Sequence, residues 1–263
     1  MATIATADST TERRPTTGRG PGSAVTPLAP RSDVVRVFAA DPDLLAGLDA
    51  ATAEMLRRRV VAPRLWVEPG EWQPPSPPRE SLGLLVVDGL LIRTVELQGR
   101  RCPELVGAGD LLRPWDDIDA SLAHVTSWTA LERASVAVLD MRFCAVVGRW
   151  PTVTAQLVKR GIERSRALSV HLAIVHVRHA DLRLHMLLWH LADRWGRVTP
   201  DGVHLPVRLT HEMLAELVCM RRPTASSALN ELARRGDIAR REDGTWLLTG
   251  RPPCDGEDVG DRA

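Results

Sequence analysis

Arg221-Arg222-Pro223-Thr224 is the segment whose residue types offer the most chemistry. A guanidinium is a planar fork that matches phosphate oxygens or the O6/N7 edge of guanine. Proline suits a first helical turn, where its missing N–H costs nothing. A helix starting here aims its positive dipole end, and two arginines, at an anion. Ser226, Ser227 and Asn230 fall on the following turns, within reach of bases or phosphates. Thr210 and His211 lie one helix earlier, and Arg240 and Arg241 precede an Asp243-Gly244 turn, where they can grip phosphates.

Other reactive groups point nowhere as specific. Cys102, Cys144, Cys219 and Cys254 form no C-x-x-C, so they read as reduced thiols of a cytosolic protein rather than a disulfide frame or zinc site. His176 and His179 share a predicted helix face, with His185 and His190 after them. They could bind metal or sense pH, but solvated or dimer-face histidines are the simpler reading, and no metal is expected. Trp66, Trp72, Trp115 and Trp128 could line a pocket, yet in a chain without tyrosine they read most simply as core. No G-x-S-x-G, H-E-x-x-H or phosphate loop occurs, so the chain is not expected to be an enzyme.

These residues need elements to position them. The chain has 263 residues, 44% of them hydrophobic and 25% charged, with a net charge of +1. That fits one large or two modest globular domains and excludes a grossly polybasic or polyacidic protein. No apolar run approaches the roughly 18–20 residues of a membrane span, and the first 30 residues lack the apolar centre of a secretory signal. Residues 1–32, rich in Thr, Pro and Gly, are expected to be disordered, and 254–263 form a loose acidic tail.

Residues 33–150 carry strand signals. Asp88-Gly89 sits between two apolar runs, a hairpin signature, and Gly107-Ala108-Gly109-Asp110 marks another turn. Ser127 to Asp140 reads as two more strands. The run Pro74-Pro75-Ser76-Pro77-Pro78 belongs in an exposed loop, since proline donates no ladder hydrogen bond. The spacing predicts a β-sandwich or roll. From Pro151 the period changes: Val153, Leu157, Ile162, Leu168, Leu172 and Val175 predict one long helix over 152–180, within a 151–181 segment. Such a helix would run about 43 Å. A second copy of the chain is the expected cover for its stripe, giving a homodimer. The alternative is packing on the β-domain of the same chain.

Residues 182–253 predict helix, strand, helix, tight turn, helix and hairpin. Asp181 is placed as the cap of the first helix, Gly196 at its end, a strand over Val203 to Leu209, a helix from Thr210, a second over Ala225 to Arg235, and a hairpin over Arg240 to Leu248. That order is a winged helix-turn-helix, whose second helix enters the major groove of double-stranded DNA. Segments 151–181 and 182–253 each carry a surplus of three positive charges.

The whole is therefore α+β: a β-roll, a long helix and a C-terminal winged helix-turn-helix. In that order, over about residues 33–250, the chain resembles the Crp/Fnr family of bacterial transcription regulators. LTHEMLAELVCMRRPTASSALNELARRGDI carries the C-terminal likeness, with Leu229, Leu232, Gly236 and Ile238 matching the family's L-x-x-L-x-x-x-G-x-I ending. LGLLVVDGLLIR and Gly107-Ala108-Gly109-Asp110, similar to the turn before the family's ligand cassette, carry the N-terminal one. The resemblance implies a cyclic-nucleotide-binding-like double-stranded β-helix, a homodimer through 152–180, and a DNA-binding regulator of transcription in the cytoplasm. RNA polymerase and an unidentified small-molecule effector are further candidate partners, and no membrane and no cofactor are expected.

Three departures matter. Cys219 stands where the family usually has the turn glycine. Pro223 and Ser227 replace the Glu and Arg that usually help the arginine at Arg222 read DNA. The family's Gly-Glu-Leu phosphate cradle and later Arg-Ser are missing. Arg113-Pro114-Trp115-Asp116-Asp117 follows the turn instead, with Val125-Thr126 near the Arg-Ser place. Asp116, Asp117 and Asp119 would repel a phosphate, so cyclic AMP is not the expected effector; Arg113, Trp115 and Thr126 mark a weak candidate pocket. An iron–sulfur cluster would need cysteines clustered near the N-terminus, and haem through a single histidine stays open. The leading reading is a dimeric, sequence-specific DNA-binding regulator. The alternative is a ligand-binding or protein-interaction module whose winged helix no longer reads DNA.

Overall fold

The computed structural model describes residues 33–75, 80–115 and 121–253. The expected tails, Cys254, most of the proline run and Asp116, Asp117 and Asp119 lie outside the described residues.

The N-terminal half opens with strand β1 (Val34–Arg36), helix α1 (Val37–Ala40), a short 3-10 turn (Pro42–Leu45) and helix α2 (Ala50–Arg59). The helices were not foreseen in a segment read as strands. Asp49 caps α2, its carboxylate accepting from the Thr52 N–H at 2.9 Å. Among the described residues nine strands build the roll: after β1 come β2 (Val61–Val67), β3 (Gly70–Trp72), β4 (Gly83–Asp88), β5 (Leu90–Leu97), β6 (Arg100–Gly107), β7 (Leu111–Leu112), β8 (Val125–Ala130) and β9 (Ala134–Leu139). They form two antiparallel sheets, ordered β1-β2-β9-β4-β7 and β3-β8-β5-β6. The Asp88-Gly89 turn lies between strands of different sheets, so it turns a corner of the roll rather than closing a two-stranded hairpin. Gly89 takes φ +88°, and a Cβ there would meet the Ala134 backbone.

Leu84, Val86, Leu91, Val106 and Val136 fill the space between the sheets with Trp115 and Trp128. Trp66 corrects the core reading of the tryptophans: it is 45% exposed, with its indole N–H donating to Asp33 and its ring under Arg133.

Helix α3 (Met141–Val147), capped by Asp140, leads into α4 (Pro151–Val175). The long helix is shorter than the sequence implied. It stops at His176, and α5 begins at Ala180 and runs to Trp195. His176 and His179 flank that break and do not share a helix face. Asp181 is not the cap either; it lies inside the first turn of α5 and pairs with Arg235 at 2.9 Å.

The stripe on α4 divides. Val153 and Leu157 pack against α1, the 3-10 turn and α3, and Ile174 joins the C-terminal core. Val158, Ile162, Leu168, Val170 and Leu172 remain exposed in the middle.

The C-terminal half continues with β10 (Arg197–Thr199), β11 (Gly202–Leu205), α6 (His211–Leu217), α7 (Arg222–Arg235), β12 (Ile238–Arg240) and β13 (Trp246–Leu248). The last sheet is ordered β10-β11-β13-β12. Strand β10 was not anticipated, and β11 ends before Pro206 instead of running to Leu209. No helix among the described residues is long and apolar enough to cross a membrane.

One core spans the two halves. Leu90, Ile92 and Leu105 of β5 and β6 are buried together with Leu184, Leu188, Leu214, Leu217 and Leu229 of the helical domain. Burying such side chains removes apolar surface from water at about 25 cal/mol per Å². Leu105→Ala should therefore destabilise the protein by roughly 2–4 kcal/mol. Hydrogen exchange should speed up in α6 as well as in β6. Faster exchange confined to β6 would mean the halves do not share that core.

Candidate nucleic-acid interface

The recognition geometry starts from the pattern of α7. Ala225, Ala228, Leu229 and Leu232 recur at helical spacing and are buried against α5 and α6. The opposite face, with Pro223, Thr224, Ser227 and Asn230, is exposed. The helix begins three residues earlier than the apolar pattern suggested: Arg222 is its first residue, Pro223 its second, and Arg221 takes the N-cap position in an extended conformation. No side chain caps this end. Its first N–H groups therefore point outward beside two exposed arginines. Gly236 closes the helix in the left-handed conformation at φ +83°.

Helix α6 is held by its Thr210 cap, whose hydroxyl accepts from the Met213 N–H at 3.2 Å. His211 joins three elements. Its Nδ1 shares a 3.1 Å hydrogen bond with the Ser226 hydroxyl, and its ring lies 6.1 Å from that of Trp246. Burial, with the Arg240 and Arg222 guanidiniums nearby, holds its pKa below the usual histidine value. Its contacts with Ser226 of α7 and Trp246 of the wing place it where α6, α7 and the wing converge. Ser226 is consequently turned inward to His211 and is only half exposed, whereas Ser227 and Asn230 face solvent.

The wing is β12, β13 and their turn. Arg241 N–H donates to Thr245 O at 2.9 Å, Asp243 accepts from the Thr245 N–H and hydroxyl, and Gly244 takes φ +84°. Arg240 and Arg241 are exposed, and Arg240 lies over Trp246 at 5.9 Å. Trp246 is itself buried, donating from Nε1 to Leu209 O. Thr210, His211, Arg221, Arg222, Thr224, Ser226, Ser227, Asn230, Arg240 and Arg241 are thus carried on the two helices and wing of one small domain.

The tight turn between the helices is made by Cys219 at φ +53°. The backbone therefore takes the shape that glycine would, at a cost of about 1 kcal/mol for a residue with a Cβ. Met220 N–H closes the turn on Ala215 O at 2.9 Å. Three contacts that brace this region were not legible in the sequence. Arg183 donates to Val218 O and Val177 O, His171 of α4 meets Leu217 O at 2.7 Å, and Arg235 forks between Asp181 and Asp237. Each of these side chains reaches at least one residue far away in the chain, Val218, Leu217 or Asp181, with no local pattern to announce it.

The candidate effector residues are not gathered. Arg113 and Trp115 stack at 5.3 Å just after β7, while Thr126 lies on β8 in the other sheet. Arg113 donates to Ser81 O and Leu82 O, so its guanidinium serves the backbone. The Gly107–Asp110 turn faces a cleft of about 910 Å³ bordered by α4 and α5. There Arg194 bonds Asp110 and Ala108 O, and Arg160 bonds Gly109 O and Asp41. Burial, with His171 nearby, holds the pKa of His190 on that cleft below the usual histidine value. No group of three metal-ligating side chains occurs among the described residues.

Residues 182–249 match the Crp-like helix-turn-helix domain. No curated protein matches the chain. Among solved structures, a mutant of CooA from Carboxydothermus hydrogenoformans is similar, at 21% identity and TM-score 0.56, over 71% of this chain and 83% of that one. FixK2 from Bradyrhizobium japonicum is similar at 18% identity and TM-score 0.56, over 73% and 94%. A CRP-family transcriptional regulator from Thermus thermophilus is similar at 22% identity and TM-score 0.52, over 71% and 91%. At these identities the likeness is one of fold, and the helix-turn-helix match adds the domain. Residues 182–249 are thus a Crp-like helix-turn-helix domain, and the chain shares the fold of these solved structures.

Proposed function

We propose that this protein is a Crp/Fnr-type transcription regulator that works in the cytoplasm as a homodimer and reads a two-fold symmetric DNA site through Arg222, without using cyclic AMP. The uncapped, exposed N-terminus of α7 carries the reading: two guanidiniums and outward N–H groups stand where a helix enters the major groove. Arg222 is assigned to a guanine edge, Arg221 and the wing arginines Arg240 and Arg241 to phosphates, and Thr210 and His211 to the backbone. Thr224, Ser227 and Asn230 share the exposed face, and Ser226 acts through His211.

The exposed middle of α4 supports the dimer. Val158, Ile162, Leu168, Val170 and Leu172 cover several turns of a helix whose buried apolar residues, Val153, Leu157 and Ile174, lie toward its two ends. Two copies joined there would present two recognition helices to successive major grooves about 34 Å apart. The commitment of Arg113 to backbone carbonyls, and of Arg160 and Arg194 to the Gly107–Asp110 turn, supports insensitivity to cyclic AMP. An effector of other chemistry and RNA polymerase remain the partners this reading would add. A turn completed by Cys219 weakens the opposing idea of a winged helix that has lost DNA reading.

Selection from random duplexes should enrich a palindromic motif. Arg222→Ala should relax one position per half-site and cost about 1–3 kcal/mol. Arg241→Ala should weaken binding evenly across sequences and lower the salt slope by about one. No motif from the intact protein, with or without cyclic AMP, would refute the reading.

Ile162→Glu should shift sedimentation from dimer to monomer and abolish cooperative occupation of both half-sites. A variant that sediments as wild type would remove α4 as the dimer face.

His211 carries the pH dependence. Its pKa is depressed, so it gains its proton only as pH falls below the ordinary histidine value. The charged ring then faces phosphate, so DNA affinity should rise as pH drops from 7 toward 5. His211→Gln should flatten that rise; an unchanged slope would assign it elsewhere.

A further inference from the structure

The two exposed cysteines Cys102 and Cys219 sit on elements that face each other across the shared core. Strand β6 packs against α6, and Arg101 of that strand pairs with Glu216 of that helix at 2.8 Å. Cys102 is the next residue after Arg101. Cys219 follows Glu216 by three residues, and its N–H donates to Glu216 O at 3.0 Å. This ion pair sets Cys102 and Cys219 on neighbouring segments, near enough for Cys102 to help raise the pKa of the Cys219 thiol. Cys144 lies elsewhere, on α3.

We propose that Cys102 and Cys219 are a redox pair, which hydrogen peroxide closes into an intramolecular disulfide stapling the helix-turn-helix to the β-roll. One thiolate attacks a peroxide oxygen, breaking O–O, and becomes a sulfenic acid with release of hydroxide. The second sulfur then displaces that hydroxyl as water and forms S–S. Overall two thiols lose two electrons and two protons, and peroxide becomes two waters. A dithiol reductant reverses the step.

The position gives the bond a consequence. Cys219 is the turn residue, two before Arg221, and Cys102 belongs to the sheet edge. A covalent link would prevent α6 and α7 from leaving β6. Burial pushes the Cys219 thiol up, the neighbouring Cys102 adds to this, and Arg183 and Arg100 oppose it. Oxidation should therefore accelerate as pH rises, since the thiolate is the nucleophile.

The test uses the full chain with hydrogen peroxide, alkylation and peptide mapping. A tryptic peptide joining residues 102–133 to 209–221, in chains migrating as monomers without reductant and reversed by dithiothreitol, is expected. Cys102→Ser should abolish it, as should Cys219→Gly, which suits the positive φ and keeps the turn folded. Hydrogen exchange over α6 should slow on oxidation. DNA affinity should differ about tenfold between reduced and oxidised protein, a readout that rests on the proposed function. A cross-link between chains, sulfinic acid on single cysteines, or an α6 exchange rate indifferent to oxidation would overturn the staple. Failure of the reduced protein to bind DNA would count against the proposed function alone, because the peptide map and exchange still decide the staple.

Discussion

Helix α7 must bury one face and leave its first turn empty. Everything that positions Arg222 follows from that constraint. Ala225 and Ala228 are small enough for close approach, and Leu229 and Leu232 anchor the helix in the core. Arg235 then ties its last turn to α5 through Asp181, while also bonding Asp237 at the start of the wing. A helix fixed by its far half can present its near end without side-chain caps, and that near end is where anion-seeking N–H groups gather. Had an Asp or Ser stood at position 221, it would have satisfied those groups internally.

The same constraint links the reading head to the rest of the chain. The winged helix does not close its own core; it completes it with Leu90, Ile92 and Leu105 from the roll. The turn before α7 receives Arg183, and the last carbonyl of α6 receives His171 from the long helix. The long helix α4 and the β5–β6 edge therefore touch the recognition domain directly, α4 through His171 at the end of α6 and the edge through the shared core. An effector or a second copy acting on α4 would shift the domain only by favouring one packing over another.

How much of this was legible depended on the range of the interaction. The helix-turn-helix was readable because period, proline and glycine are local signals: Pro223 opens α7 and Gly236 ends it. The break between α4 and α5 was not, because Val177 and Arg178 carry no breaker. Arg183 secures it by donating to Val177 O, and the same guanidinium is held by Val218 O, a partner that only the tertiary packing supplies. Short helix α1 was hidden by apolar residues that resemble strand, whereas α2, made of Ala, Glu, Met, Leu and Arg behind its Asp49 cap, was passed over within a segment read as strands. Trp66 was misjudged because hydrophobicity alone does not reveal that Asp33 and Arg133 would hold an indole at the surface. Of the site residues, Arg221, Arg222, Thr224, Ser227, Asn230, Arg240 and Arg241 are exposed, while Ser226 is turned inward to a histidine that no spacing connects to it.

The net charge of +1 understates what the domain can do to a polyanion. Many arginines are neutralised at home: Arg160 by Asp41, Arg164 by Glu104, Arg194 by Asp110 and Arg235 by two aspartates. Among the described residues no carboxylate pairs with Arg221, Arg222, Arg240 or Arg241. Pairing thus removes positive charge from the interdomain surfaces and leaves it on one face. A charge distribution of that kind acts locally, within the roughly 8–10 Å over which salt leaves charges visible to each other. Four guanidiniums with no paired carboxylate around one uncapped helix end thus make a local positive field that a whole-chain balance near zero hides, offset at the wing by Asp243, which lies close enough to Arg241 for that charge to help lower its pKa.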